Sequence, residues 1–198
     1  MASTNWGEEA QLNLTRMKSS VLFLSLFISG ITSFGQSTEL ISYTGNAVNW
    51  SHYTKTTKGS GYQKAFTYCG IAYSVRHGEA GLVAEFNAFL DVSESWVVQN
   101  AQTTALLRHE QGIFDLTELY ARKMRKAGAE FIKQQGSNIN FDALLEEVRN
   151  IYRELNNELF QEQKIYNAET CNGTNKEQQL RWEEKIKIEL QKLEAFAS

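Results

Sequence analysis

Residues 101–134, AQTTALLRHEQGIFDLTELYARKMRKAGAEFIKQ, decide the fold class. Their apolar residues return with helical period, and Leu106, Ile113, Tyr120, Met124 and Phe131 fall on or near one stripe. Gly136-Ser137-Asn138 then breaks the pattern. A second helix starts near Asn140 or Asp142, with Leu144, Leu145, Val148, Ile151, Leu155 and Leu159 as its apolar stripe. A polar loop over Asn167–Asn175 (NAETCNGTN) precedes a third helix. Thr174 and Glu177 have capping-box spacing there, and Trp182, Ile186, Leu190 and Leu193 supply the buried face.

Upstream of this helical half the period changes. Residues 47–53 (AVNWSHY), 66–75 (FTYCGIAYSV) and 81–90 (GLVAEFNAFL) are rich in aromatic and β-branched residues and read as strands. KTTKGSG (55–61) and Arg76-His77-Gly78 separate them, and Ser95-Trp96-Val97-Val98 fits a fourth, short strand. Between Phe66 and Val75 both alternating sets carry apolar residues, which predicts a sheet covered at least in part on both faces. Strands first and helices afterwards predict an α+β fold: N-terminal antiparallel strands followed by three helices.

The N-terminus carries a different signal. Met17-Lys18 opens a short positive region before the apolar run Val21–Ile31 (VLFLSLFISGI), and Ser33-Phe34-Gly35 has the small-residue pattern of a cleavage site. The reading is a leader and signal peptide over residues 1–35, cleavage before Gln36, and a single domain over 36–198. A buried N-terminal helix is the plainer alternative. The run is short of the roughly 20 residues that span a bilayer, and no Cys follows it as a lipoprotein anchor would need. The expected product is exported, periplasmic or secreted, and soluble, with no stable membrane span. Residues 1–16, with Glu8, Glu9 and Arg16, extend the leader or precede a true start at Met17.

Charge narrows the partners. Twenty basic and 23 acidic residues give a net charge of -3 without a long basic run, which argues against nucleic acid and anionic membrane surfaces. An oxidising compartment permits a disulfide between Cys69 and Cys171; two free thiols fit the same sequence.

The chemistry-bearing residues lie on the first helix, in Arg108-His109-Glu110-Gln111-Gly112-Ile113-Phe114-Asp115. Zinc-protease helices carry H-E-x-x-H because residues i and i+4 share a face, so two imidazoles grip one metal while the glutamate acts as base on its water. Here the i+4 position is Ile113. Taken alone, the His-Glu pair is a weak signal.

The surrounding blocks add to it. LLRHEQGIFDLTELYARKMRK (Leu106–Lys126) resembles the core of a family of exported bacterial proteins described as zinc-dependent proteases, whose block reads HEQxHFD. Ser95-Trp96-Val97, Ala65-Phe66-Thr67-Tyr68 and Gly70-Ile71-Ala72-Tyr73 are similar to upstream blocks of that family. YNAETCNG (Tyr166–Gly173) resembles its YDxxTxHG block, and Gln179 with Trp182 fits the helix after it. The resemblance runs from about Trp50 to Leu193 and implies a zincin-like helix bearing the His-Glu pair.

The same resemblance implies an incomplete metal site. His109 matches the first ligand, Glu110 the catalytic acid and base, and Asp115 an aspartate that supports the ligands. Ile113 and Asn172 stand where the second and third histidines belong, and Asn167 replaces an aspartate. No good ligand shares the helix face of His109, which holds Ala105, Leu106, Gly112, Ile113, Leu116 and Tyr120. Substitute ligands would be His52, His77 or Cys171, the last adjacent to the third-ligand position.

Each candidate also has a plainer reading. His109 fits a hydrogen-bonded core histidine, and Glu110 a solvated group near Arg108 or Lys123. His77 fits a turn residue, Cys171 a disulfide partner or small buried residue, and Asn172-Gly173 a turn dipeptide. The expected function is an exported, zinc-protease-like domain that is non-catalytic, binds no zinc tightly and serves as a binding or scaffold protein for an unknown protein or peptide. The alternatives are an active zinc metallohydrolase with nonstandard ligands and Glu110 as general base, and a plain structural protein.

Overall fold

A ten-residue strand that turns back on itself through Glu79-Ala80 organises the N-terminal half. In the computed structural model, which describes residues 39–44, 48–56 and 63–198, β4 (Cys69–Gly78) pairs antiparallel with β5 (Gly81–Asp91), from Gly78↔Gly81 to Cys69↔Leu90. Gly81 closes the turn at φ +125°, a conformation open to a residue without Cβ. The leader, the signal peptide and cleavage before Gln36 lie outside the described residues. Contacts divide the chain into Met1–Gln36 and Ser37–Ser198, and all described residues belong to the second unit.

β1 (Leu40–Ser42) adds antiparallel to the other edge of β5, giving the order β1-β5-β4. A smaller sheet has the order β2-β6-β3, from β2 (Thr54–Thr56), β3 (Ala65–Phe66) and β6 (Trp96–Val98). There β3 runs antiparallel to β6 but β2 runs parallel to it, a departure from an all-antiparallel arrangement. The long connection that a parallel pair needs is supplied here by the β3 to β5 segment itself.

Three helices follow: α1 (Thr104–Gln135), α2 (Phe141–Glu169) and α3 (Lys176–Lys192). The α+β class, strands first and three helices after, is therefore as expected. Thr103 caps α1 and Asn140 caps α2, each accepting the backbone N–H of the third residue of its helix. Gly136 ends α1 at φ +57°. Among the described residues no helix is long and apolar enough to cross a membrane.

Four local expectations need correction. Of the strand expected over 47–53, the described residues 48–53 are not a strand: Trp50–His52 is a 3-10 turn, because the Asn49 side chain accepts the Ser51 N–H at 2.9 Å. The 66–75 strand is broken at Thr67-Tyr68, where Tyr68 N–H donates to the Ser95 hydroxyl at 2.9 Å, so its two parts join different sheets. Arg76-His77-Gly78 belongs to β4 rather than to a separating loop. Finally, α3 is capped by Asn175, whose Oδ1 accepts the Gln178 N–H at 3.2 Å, while the Thr174 hydroxyl donates to the Cys171 carbonyl at 2.8 Å.

The core lies where α1 crosses the larger sheet. Ile71, Phe86, Ala88 and Leu90 from β4 and β5 meet Phe114, Leu116, Ala121 and Met124 from α1, with α2 and α3 contributing Leu144, Val148, Leu159, Trp182 and Ile186. Close approach needs Gly128, since a Cβ there would sit 3.1 Å from the Ala84 Cβ. Between His109 and Met124 only Gln111, Asp115 and Lys123 escape full burial. The helix is thus enclosed almost all round rather than along one stripe.

That enclosure buries charge. Glu118, 1% exposed, accepts from Arg122 Nε at 2.9 Å and Arg125 Nη2 at 2.5 Å. Arg125 also donates to the Phe86 carbonyl of β5 at 2.9 Å, and Arg122 to the Leu190 carbonyl of α3 at 2.9 Å. One carboxylate therefore fastens sheet, α1 and α3 together. Removing it with Glu118→Ala leaves the buried end of Arg125 without an anion, and Arg122 with only the exposed Glu194 carboxylate at 3.0 Å. The expected loss is about 3–5 kcal/mol, read as a lower denaturation midpoint in urea at unchanged slope.

Candidate functional site

The first third of α1 carries His109, Glu110 and Ile113 to one wall of a cavity of about 100 Å³. Asn167 from the end of α2 and Asn172 from the turn after it line the same cavity, with Thr67 from the sheet side. Both segments are shaped by local chain chemistry. The turn after α2 runs left-handed at Cys171 (φ 48°), Asn172 (φ 51°) and Gly173 (φ 82°), bringing residue 172 back toward the helix.

Glycine is required at two places for this approach. A Cβ on Gly173 would sit 2.6 Å from the Cβ of His109, and a Cβ on Gly112 would sit 2.2 Å from the Tyr166 hydroxyl. Through the space left at Gly112, Tyr166 donates to the His109 carbonyl at 2.9 Å and stacks on the imidazole at 4.8 Å, with the planes 3° apart. His109 is 3% exposed.

The hydrogen bonds around the ring fix its tautomer. Nδ1 lies 3.3 Å from Gln179 Oε1 and 3.3 Å from Thr170 Oγ1. The Thr170 hydroxyl gives its proton to the Tyr166 carbonyl at 2.6 Å. Gln179 Nε2 donates to the Tyr166 hydroxyl at 2.8 Å and to Glu183 at 3.1 Å, which leaves Oε1 as an acceptor. Both neighbours of Nδ1 therefore accept, so Nδ1 carries the proton and Nε2 keeps its lone pair. Burial pushes the imidazole down from 6.5 to about 4, with the Gln179 and Asn167 side chains opposing the shift.

Glu110, 4% exposed, accepts from the Thr67 hydroxyl at 2.6 Å. With that proton committed, the Thr67 oxygen accepts from the Tyr53 hydroxyl at 2.7 Å, which makes a chain from Tyr53 through Thr67 to the carboxylate. Burial raises Glu110 from 4.5 to about 7, against the lowering influence of the Thr67 hydroxyl and backbone N–H. The solvated reading of Glu110 is thereby corrected: Arg108 pairs with Glu183, and the Lys123 ammonium sits over the Tyr120 ring at 3.8 Å.

The other candidates lie elsewhere. Cys171 is exposed, its Sγ directed at the Ala168 carbonyl at 3.7 Å, and it lines a neighbouring cleft that shares Lys64, Leu106 and Asn172 with the cavity. His52 packs against Asn49 in its 3-10 turn, with Nε2 2.9 Å from Asn49 Nδ2. His77 is exposed on β4, stacked on Phe141 at 6.3 Å. Asp115 does not line the cavity; it accepts from Gln111 at 2.6 Å and from the Tyr43 hydroxyl at 2.9 Å, tying the chain after β1 to α1. Cys69 and Cys171 are both free thiols, so the disulfide allowed by sequence is not formed. Cys69 is instead held by the Thr117 hydroxyl at 3.0 Å, and burial pushes its thiol up to about 12.

Zinc does not fit this residue set. A catalytic zinc takes three protein ligands and keeps one open position. The cavity offers one imidazole and one carboxylate, Ile113 fills the i+4 position with hydrocarbon, and Asn167, Asn172 and Gln163 contribute neutral amides. Among the described residues no three His, Cys, Asp or Glu side chains stand close enough to hold a metal ion. The residues missed in the sequence are Thr67, Thr170 and Gly112, which position the His-Glu pair without bearing chemistry of their own.

The pair makes opposed contributions to stability. Glu110 is raised on folding, so the native state binds the extra proton and stability is lost as pH rises from 4.5 to about 7. His109 is lowered on folding, so the unfolded state binds the extra proton and stability is gained as pH rises from about 4 to 6.5. Glu110→Gln should therefore unmask a rise in melting temperature across pH 4 to 6.5, and His109→Gln a fall across pH 4.5 to 7, where the unsubstituted chain stays nearly flat. Thermal melts of the three proteins across that range measure both slopes. No family model, curated protein or solved structure matches the chain.

Proposed function

We propose that this chain is a non-catalytic member of the exported zinc-protease-like family that its sequence blocks resemble, acting as a binding or scaffold domain for a protein or peptide. One observation carries the reading: His109, Glu110, Ile113, Asn167 and Asn172, matched to motif positions from two distant blocks, line one cavity. Residues more than fifty positions apart have no reason to meet there by composition alone. Tyr166, Thr170 and Gln179, drawn from the same downstream blocks, hold the His109 ring with Nε2 left as the lone-pair nitrogen, the state in which imidazole binds metal. This is support for a metal-site scaffold whose ligands have been replaced.

Loss of catalysis follows from the ligand chemistry. Without a second and third ligand the cavity has nothing to lower the pKa of a water or polarise a carbonyl. His52, His77 and Cys171 are not among the residues that line the cavity. What remains is a buried, hydrogen-bonded His-Glu pair on a rigid helix, and an exported domain whose use is recognition.

The test is to put the ligands back. Ile113→His with Asn172→His adds two imidazoles around the cavity, and histidine is among the residues that tolerate the left-handed φ of 51° at position 172. Elemental analysis should find about one zinc per chain in the double variant and only traces in the unsubstituted chain. A double variant that holds no more zinc than its parent means that these positions do not surround a metal centre. A parent that retains about one tight zinc overturns the non-catalytic reading.

A further inference from the structure

A second concavity, of about 640 Å³, lies between α2 and α3 and shares no lining residue with the cavity of His109. From α2 it takes Glu158, Glu162, Ile165 and Glu169, whose i, i+4, i+7, i+11 spacing sets them along one helix face. That stripe is about 16 Å long, three turns of helix. Beside it α3 runs antiparallel: Trp182 Nε1 donates to Glu169 at 2.7 Å, and Lys185 Nζ to Glu162 at 2.7 Å. Ile165, 50% exposed, leaves an apolar side chain in the middle of an acidic stripe.

Charge in this groove is uneven. Arg181 on its wall is engaged by Glu177 at 2.6 Å, and Glu158 and Glu169 have no cationic partner among the described residues. Lys185 shows what the groove accepts. Its ammonium lies 3.9 Å from the centre of the Trp182 ring while bonding to Glu162, so an indole face and a carboxylate hold one cation together. The Tyr120 hydroxyl bonds to the other Glu162 oxygen at 2.8 Å, which fixes the carboxylate independently of the lysine. The Lys185 side chain is itself half exposed, and an ion pair of that kind contributes little. A second cation can therefore take its place at small cost.

We infer that the groove is a docking site for a basic amphipathic helix of a partner protein, one of whose cationic side chains displaces Lys185 from between Glu162 and Trp182. Two helices packed side by side present the trough that a third helix needs. A partner with basic residues at i and i+7 and an apolar residue between them sets its charges on Glu162 and Glu169 and its hydrocarbon on Ile165. Arginine suits the place of Lys185 best, because its planar guanidinium stacks on indole and bonds a carboxylate through two nitrogens. The acidic stripe at the same time repels an anionic partner. This inference gives the proposed binding role a surface and rests on that reading only for the partner's being a protein. It makes no use of the His109 cavity, so the zinc content of the double histidine variant tests the metal-centre reading separately.

The probe is an alanine-based peptide of about 20 residues, long enough to be helical alone, with arginine, leucine and arginine at i, i+3 and i+7. A version with glutamate for arginine is its control. Calorimetric titration of the intact chain at low salt should show the arginine peptide binding at least tenfold more tightly than the glutamate one. Glu158→Gln with Glu162→Gln should remove about that factor. Lys185→Ala should strengthen binding about threefold or more by vacating the place. Lys187→Ala, the same charge change on α3 at a residue outside the groove, should leave binding within twofold of the parent. Equal affinity for the two peptides, or none for either, overturns the inference. So does binding that ignores the glutamate replacements. A Lys185→Ala gain no larger than that of Lys187→Ala overturns it as well, because the ammonium is then no stand-in for a ligand.

Discussion

Tyr166 can touch the backbone of α1 only because residue 112 has no side chain, and most of the site is arranged by that contact. The phenol occupies the notch, donates to the His109 carbonyl, stacks its ring on the imidazole and meets the Trp182 ring at a near-right angle, 5.4 Å between centroids. Gln179 then bonds to the same hydroxyl and turns its carbonyl to His109. Three helices are in this way referenced to one oxygen. A histidine fixed like this has little rotational freedom left, whatever its neighbours across the cavity are.

The electrostatics of the region follow from enclosure. Taking α1 out of water on nearly every side forces each polar group on it to find a partner or change its protonation. Glu118 finds two arginines. Asp115 finds an amide and a phenol. Glu110 finds a hydroxyl, which stabilises its anion less than a cation would, and its pKa rises. Burial raises Asp115 as well, because its two partners are also neutral.

Much of this was legible in the sequence, and what escaped has a physical reason. The three helices were readable because long apolar periodicities and strong breakers such as Gly136 survive any tertiary context. The short strands were less so, since the division between sheets at Thr67-Tyr68 depends on Ser95 and Glu110, far along the chain. Of the site, the His-Glu pair and the positions of Ile113 and Asn172 were visible from block resemblance, while their shared cavity was not. Burial of Glu110 was missed because a glutamate beside an arginine reads as surface, and only the sheet packed over it shows otherwise. The capping of α3 moved by one residue because Thr174 and Asn175 are both competent caps and the turn geometry chooses between them.

Gly112 and Gly173 bear on how this molecule changes over generations. Both are held by shape alone: any larger residue at either position collides with Tyr166 or with His109. Ile113, by contrast, serves packing, and many apolar residues of similar volume would serve equally. Purifying selection for folding would thus guard the glycines, the stacked tyrosine and the histidine as parts of a fitted solid, while leaving position 113 free to drift among apolar residues. The outline of this part of the molecule is thereby inherited together with its fold.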